Sequence, residues 1–163
     1  VLIFLTPNDN THLFLITIMM PILIFLFFNF SIFNLPKLFL GDSGSLLLGF
    51  LISFTIIYLA NQKVVHPILL AFSISIFAYE FLSINLIRII NKKGIFSAGL
   101  DHLHHILLKK NKSLLLTNFL ISTMNIIFFI LGYLSFKFIN PLASLILFIF
   151  FFIIFFIFRK KFN

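Results

Sequence analysis

Five apolar runs, each close to the length of a bilayer crossing, constrain this chain more than any other feature. Segment A runs from about Leu13 to Phe33, B from Ser45 to Ala60, C from Pro67 to Ile90, D from Leu114 to Phe136 and E from Pro141 to Phe158. About 20 apolar residues in a helix cross the hydrocarbon core, so four of the runs are long enough and B is slightly short. Hydrocarbon offers no partner to backbone N–H and C=O groups, which leaves helices as the way for such runs to span. Composition excludes the alternative of a greasy soluble domain. Apolar residues make up 61% of the chain and charged residues 10%, where a soluble domain carries about 25% charged. The expected fold is therefore all-α: a polytopic integral membrane bundle of about five transmembrane helices. Pro21 lies inside A, where a kink is tolerated, and Val1 to Leu5 read as the tail of a preceding helix.

The net charge is +8. In a soluble protein that would suggest a nucleic-acid partner, but here the basic residues stand between and after the apolar runs. With five spans, one side collects Lys37, Arg88, Lys92, Lys93, Lys109, Lys110, Lys112, Arg159, Lys160 and Lys161, and the other only Lys63 and Lys137. Lys and Arg gather on the cytoplasmic side. The first side is thus expected to be cytoplasmic, with the loop Asn91 to Ser113 and the C-terminus. No nucleic-acid partner is expected. No cysteine is present, which excludes disulfides, thiolate catalysis and cysteine-ligated zinc. The chain begins at Val1 with no basic n-region and no cleavage-like site, so no signal peptide is expected.

Asp42 stands in "FLGDSGSLLLGF", at the cytoplasmic mouth of B. Gly41 and Gly44 allow a tight turn there, and Asp42, Ser43 or Ser45 could cap the helix. A helix N-terminus suits a phosphate, and a carboxylate beside it suits Mg²⁺, which takes one or two carboxylates plus phosphate oxygens and water. "DHLHH" places Asp101 beside His102, His104 and His105. If this stretch is helical, His102 and His105 share a face, and Asp101 reaches His105. The histidines could ligate a transition metal, contact a diphosphate, or lie in a merely solvated loop. Glu80 falls near the middle of C, where a carboxylate must find a partner, face the interior or stay protonated. Arg88 is about 12 Å further along and is not an obvious partner. Asn29, Asn85, Asn118 and Asn125 are expected to bond between helices, Asp9 to serve a turn, and His12 and His66 to be interfacial. The phenylalanines as a class are given no functional meaning.

Two stretches together resemble one family. "FNLPKLFLGDSGSLLLGF" is similar to the signature of the polyprenyl-phosphate N-acetylhexosamine-1-phosphate transferases (glycosyltransferase family 4), and "FSAGLDHLHHILL" to their later cytoplasmic loop. The resemblance spans the chain but only the C-terminal half of the family's domain. It implies that residues 1–163 are part of one transmembrane transferase domain, whose paired-aspartate motif lies upstream of Val1, and that this piece alone is inactive. It implies transfer of N-acetylhexosamine-1-phosphate, of the N-acetylglucosamine type, from a UDP-sugar to undecaprenyl phosphate with release of UMP. This would be the first membrane step of a cell-envelope glycan, in a bacterial cytoplasmic (inner) membrane. Asp42 would hold Mg²⁺, Phe39 would stack on uracil, and Asn34, Gly41, Ser43 and Gly44 would bind substrate. His102, His104 and His105 would act near the diphosphate or the sugar. Asp101 carries no role over, and a homodimer is left open. The alternatives are a phospho-N-acetylmuramoyl-pentapeptide transferase, a transporter using Glu80 and the histidines as a relay, or a degenerate remnant.

Overall fold

The computed structural model describes residues 1–6, 10–30, 36, 38–92, 94 and 102–161. Among them the regular structure is entirely helical. In chain order the helices are α1 (Leu2–Leu5), α2 (Asn10–Asn29), α3 (Gly41–Asn61), α4 (Pro67–Ser73), α5 (Ser75–Ile90), α6 (Leu103–Asn111), α7 (Leu114–Phe138) and α8 (Pro141–Lys161). The helices α2, α3, α7 and α8 are each long and apolar enough to cross a membrane, and α4 with α5 makes a fifth, bent candidate. The expected polytopic bundle is thus what the chain forms. Segment B, short by composition, gains length because the helix starts at Gly41 and takes the polar "GDSG" into its first turn. Segment A is one helix through Pro21.

The chain divides into two units, Val1–Leu70 and Ala71–Asn163. In the first, α2 and α3 carry hydroxyls that turn back onto their own helix. Thr17 donates to the Leu13 carbonyl at 2.9 Å and Thr55 to that of Leu51 at 2.7 Å. Both hydroxyls are thereby satisfied without water. Asn29, expected to bond between helices, donates instead to the Leu38 carbonyl at 3.2 Å.

The second unit holds an aromatic core. Tyr79 is fully buried and packs with Ile76, Leu103 and Phe155, flanked by Phe128, Phe148, Phe151 and Phe152. Its hydroxyl donates to the Phe148 carbonyl at 2.9 Å, so the ring's polar end is satisfied inside the bundle. Phe72 is also fully buried, edge-on to Phe148 at 5.1 Å. Part of the phenylalanine content is therefore core, while Phe77, Phe81, Phe119 and Phe150 are exposed as lipid-facing residues would be. Gly132 on α7 is there because a Cβ would overlap the Phe72 ring. Its carbonyl accepts from Ser144 Oγ of α8 at 3.0 Å, so α7 and α8 approach closely through small residues.

Segment C is not one straight span. It breaks at Ile74, and α4 and α5 are bent by 76°. No proline or glycine stands at the break; Asn125 of α7 sustains it. Its Oδ1 accepts from Ser75 Oγ and from the Ile76 N–H, both at 3.1 Å, and its Nδ2 donates to the Ser73 carbonyl at 3.0 Å. Broken backbone at membrane depth needs such partners. The expectation of Asn125 as a polar link between helices holds.

Candidate functional site

The first group of motif residues lies in the Val1–Leu70 unit, where α3 begins. Leu40 is the N-cap, with no side-chain capping bond, and Gly41 follows with φ +67°. That left-handed backbone favours glycine. Asp42, expected as a possible cap, sits one position deeper, in the first turn, and is exposed. Ser45 is also no cap: its hydroxyl donates inward to the carbonyls of Gly41 at 3.1 Å and Asp42 at 2.9 Å. Gly44 serves packing rather than turning, since a Cβ would lie 2.7 Å from Leu40 Cγ. Phe39 is 89% exposed and Ser43 is exposed. The start of α3 therefore offers a carboxylate, a hydroxyl, backbone N–H groups and an open aromatic face. Asn34 and Lys37, expected nearby, lie outside the described residues, as do Asp9, Lys93 and Asp101.

The second group lies in the Ala71–Asn163 unit. "LHHILLKKN" is helical, so the conditional expectation of a helical histidine stretch is met from Leu103 onward, with His102 as its N-cap. The three rings gather: His104 and His105 are 4.1 Å apart between centroids, His102 and His104 5.6 Å, and His102 and His105 6.5 Å. Lost hydration, then the charges of His105 and His102, hold the His104 pKa below its ordinary 6.5. His104 is thus biased towards the neutral form, able to donate from one ring nitrogen and accept at the other.

Glu80 has found its partner. Arg159 of α8 donates from Nε to Oε2 at 3.0 Å and from Nη2 to Oε1 at 3.1 Å, a two-pronged pairing. Oε1 also accepts a very short hydrogen bond from the Leu103 N–H, and His102 Nδ1 lies 3.8 Å away. Sequence reasoning counted Arg159 only among the cytoplasmic charges. Phe148, Phe152, Phe155 and Arg159 share one stripe of α8 at helical spacing, but the other faces of that helix are equally apolar, so periodicity does not single the stripe out.

Metal fit differs between the groups. Among the described residues no three His, Asp or Glu side chains gather to hold a metal ion, so the histidine cluster is not a metal centre on those residues alone. Asp42 fits a lesser demand, as one exposed oxygen ligand for a cation that takes its other ligands from phosphate and water.

Residues 1–60 match glycosyl transferase family 4. The resemblance read from the motifs is thereby shown over the segment that contains Phe39, Gly41, Asp42, Ser43 and Gly44. No curated protein and no solved structure matches the chain. The match over residues 1–60 supports a membrane-embedded transferase acting on sugar phosphates. The histidine helix lies beyond the matched residues, and its tie to glycosyl transferase family 4 rests on the "DHLHH" pattern.

Proposed function

We propose that the protein transfers N-acetylhexosamine-1-phosphate, of the N-acetylglucosamine type, from a UDP-sugar to undecaprenyl phosphate. UMP is released at the cytoplasmic face of a bacterial inner membrane. The match of residues 1–60 to the transferase family carries this reading, because it covers the exposed Asp42 behind the left-handed Gly41.

The reaction joins a lipid phosphate oxygen to the sugar-bearing phosphorus and breaks that phosphorus's bond to the bridging oxygen, which leaves with UMP. Such chemistry needs positioning and charge neutralisation more than covalent help. The first-turn N–H groups of α3 and the Ser43 hydroxyl suit phosphate oxygens, and the open Phe39 ring suits stacking on a base. Asp42 would hold Mg²⁺, which when bound offsets diphosphate charge. His104, biased neutral, can donate a hydrogen bond to a phosphate oxygen without a permanent charge. The charge pattern of the loops supports a cytoplasmic side for both groups. The carrier reading, which would use Glu80 as a relay, is disfavoured because that carboxylate is engaged by Arg159 and Leu103.

The test is Asp42→Asn, in the protein expressed from its whole reading frame. Asp42 is not the N-cap, so its replacement removes a charge without removing a cap. UMP release from UDP-N-acetylglucosamine with added undecaprenyl phosphate should fall at least about a hundredfold, or ~2.7 kcal/mol. Undiminished release at ordinary Mg²⁺ would remove Asp42 from the reaction.

A further inference from the structure

The N-terminus of α6 is capped from another helix. His102, its N-cap residue, makes no side-chain capping bond, and the first orphan N–H, that of Leu103, is taken by the Glu80 carboxylate of α5. A carboxylate at that end also meets the positive end of the helix dipole. The carboxylate is itself immobilised. Arg159, 1% exposed, grips both its oxygens. At its other end α6 turns through Lys112 at φ +55°, whose N–H bonds the Leu108 carbonyl at 2.8 Å. Ser113 then caps α7 by accepting from the Leu116 N–H at 3.3 Å. The short helix that carries His104 and His105 is thus held at both ends.

We infer that Glu80 is a positioning residue: clamped by Arg159, its carboxylate fixes the first turn of α6 and so the placing of His102, His104 and His105. The assignment deepens the transferase reading, on which the use of those histidines rests, but the clamp is measurable apart from it. Glu80 is the link between the buried core and the histidine helix.

A buried ion pair replaced on both sides by apolar residues commonly leaves a fold intact. Glu80→Leu with Arg159→Met therefore removes the acceptor without stranding a charge. The readouts are amide hydrogen exchange and the ring signals of ¹⁵N-histidine in the detergent-solubilised protein. We expect the amides of residues 103–105 to exchange at least about tenfold faster, the ring signals of His102 and His105 to shift, and α7 amides to keep their protection. Glu80→Gln with Arg159→Met returns a neutral acceptor and should restore slow exchange at Leu103. Unchanged Leu103 exchange and unchanged histidine signals in the Leu/Met pair would overturn the role. So would a general loss of α7 protection that Gln does not repair, because the pair would then be a scaffold element alone. UMP release is measured alongside. A fall in the Leu/Met pair that Gln reverses supports the clamp and the transferase reading together. No release from the wild type, with the exchange results as expected, sinks the transferase reading and leaves the clamp standing.

Discussion

Asn125 is bonded to Ser75 across 3.1 Å, at the point where the backbone between α4 and α5 breaks. The same carboxamide serves the Ile76 N–H and the Ser73 carbonyl. Asn125→Ala takes this partner from the Ser75 hydroxyl and the Ile76 N–H in an apolar setting. Each such group costs about 1–3 kcal/mol. Asn125→Ala should therefore lower stability by at least that amount, against about 0.5 kcal/mol or less for Asn118→Ala on the exposed face. Reversible unfolding in mixed detergent micelles measures both. Equal effects would show that the break does not depend on Asn125.

Gly132 and Phe72 make a second pairing. The Phe72 ring is boxed by Phe148 and Phe151 and cannot swing away cheaply. Gly132→Ala should destabilise by about 1–3 kcal/mol through overpacking. Adding Phe72→Leu should recover part of the loss, and a strictly additive double mutant would argue against the close approach.

His104 offers a prediction in pH. Its pKa is held below 6.5 in the folded chain, so the unfolded chain binds its proton first as pH falls. The contribution to stability is complete above pH 6.5 and is lost as pH drops through the folded pKa. In ¹⁵N-histidine spectra His104 should titrate below the ordinary histidine range. His105→Gln should move it upward but not fully, since lost hydration is the larger cause. Titration at or above the ordinary value would contradict the cluster.

Orientation is testable with single cysteines, because residues 1–163 contain none of their own. Lys160 and Asn140 stand at opposite ends of α8, a helix of 21 residues. Lys160→Cys should resist a membrane-impermeant thiol reagent in intact cells and react after permeabilisation. Asn140→Cys should react in both. The reverse pattern would invert the topology.

Much of the bundle was legible because bilayer crossing is a local property: hydropathy and length place α2, α3, α7 and α8 within a few residues of their ends. The "GDSGS" motif was legible as the mouth of a helix because Gly41 needs its unusual backbone. The cap was misplaced because Leu40, with no capping side chain, gives no sequence signal. The break at Ile74 was hidden because its support lies on α7, about fifty positions away from Ser73 and Ser75. Arg159 was hidden for a related reason. α8 is apolar on every side, so hydropathy does not mark which stripe is buried, and a pair separated by 79 positions follows no periodic rule.

That separation has a consequence for biosynthesis. At roughly 5–20 residues per second, the 79 positions between Glu80 and Arg159 take about 4–16 s to translate. Throughout that interval α5 carries a carboxylate whose arginine partner has not been made. The nascent chain must hold Glu80 near the headgroups or against other polar groups until α8 arrives. On this ordering α5 settles only once α8 has been made, and the histidine helix is set after it.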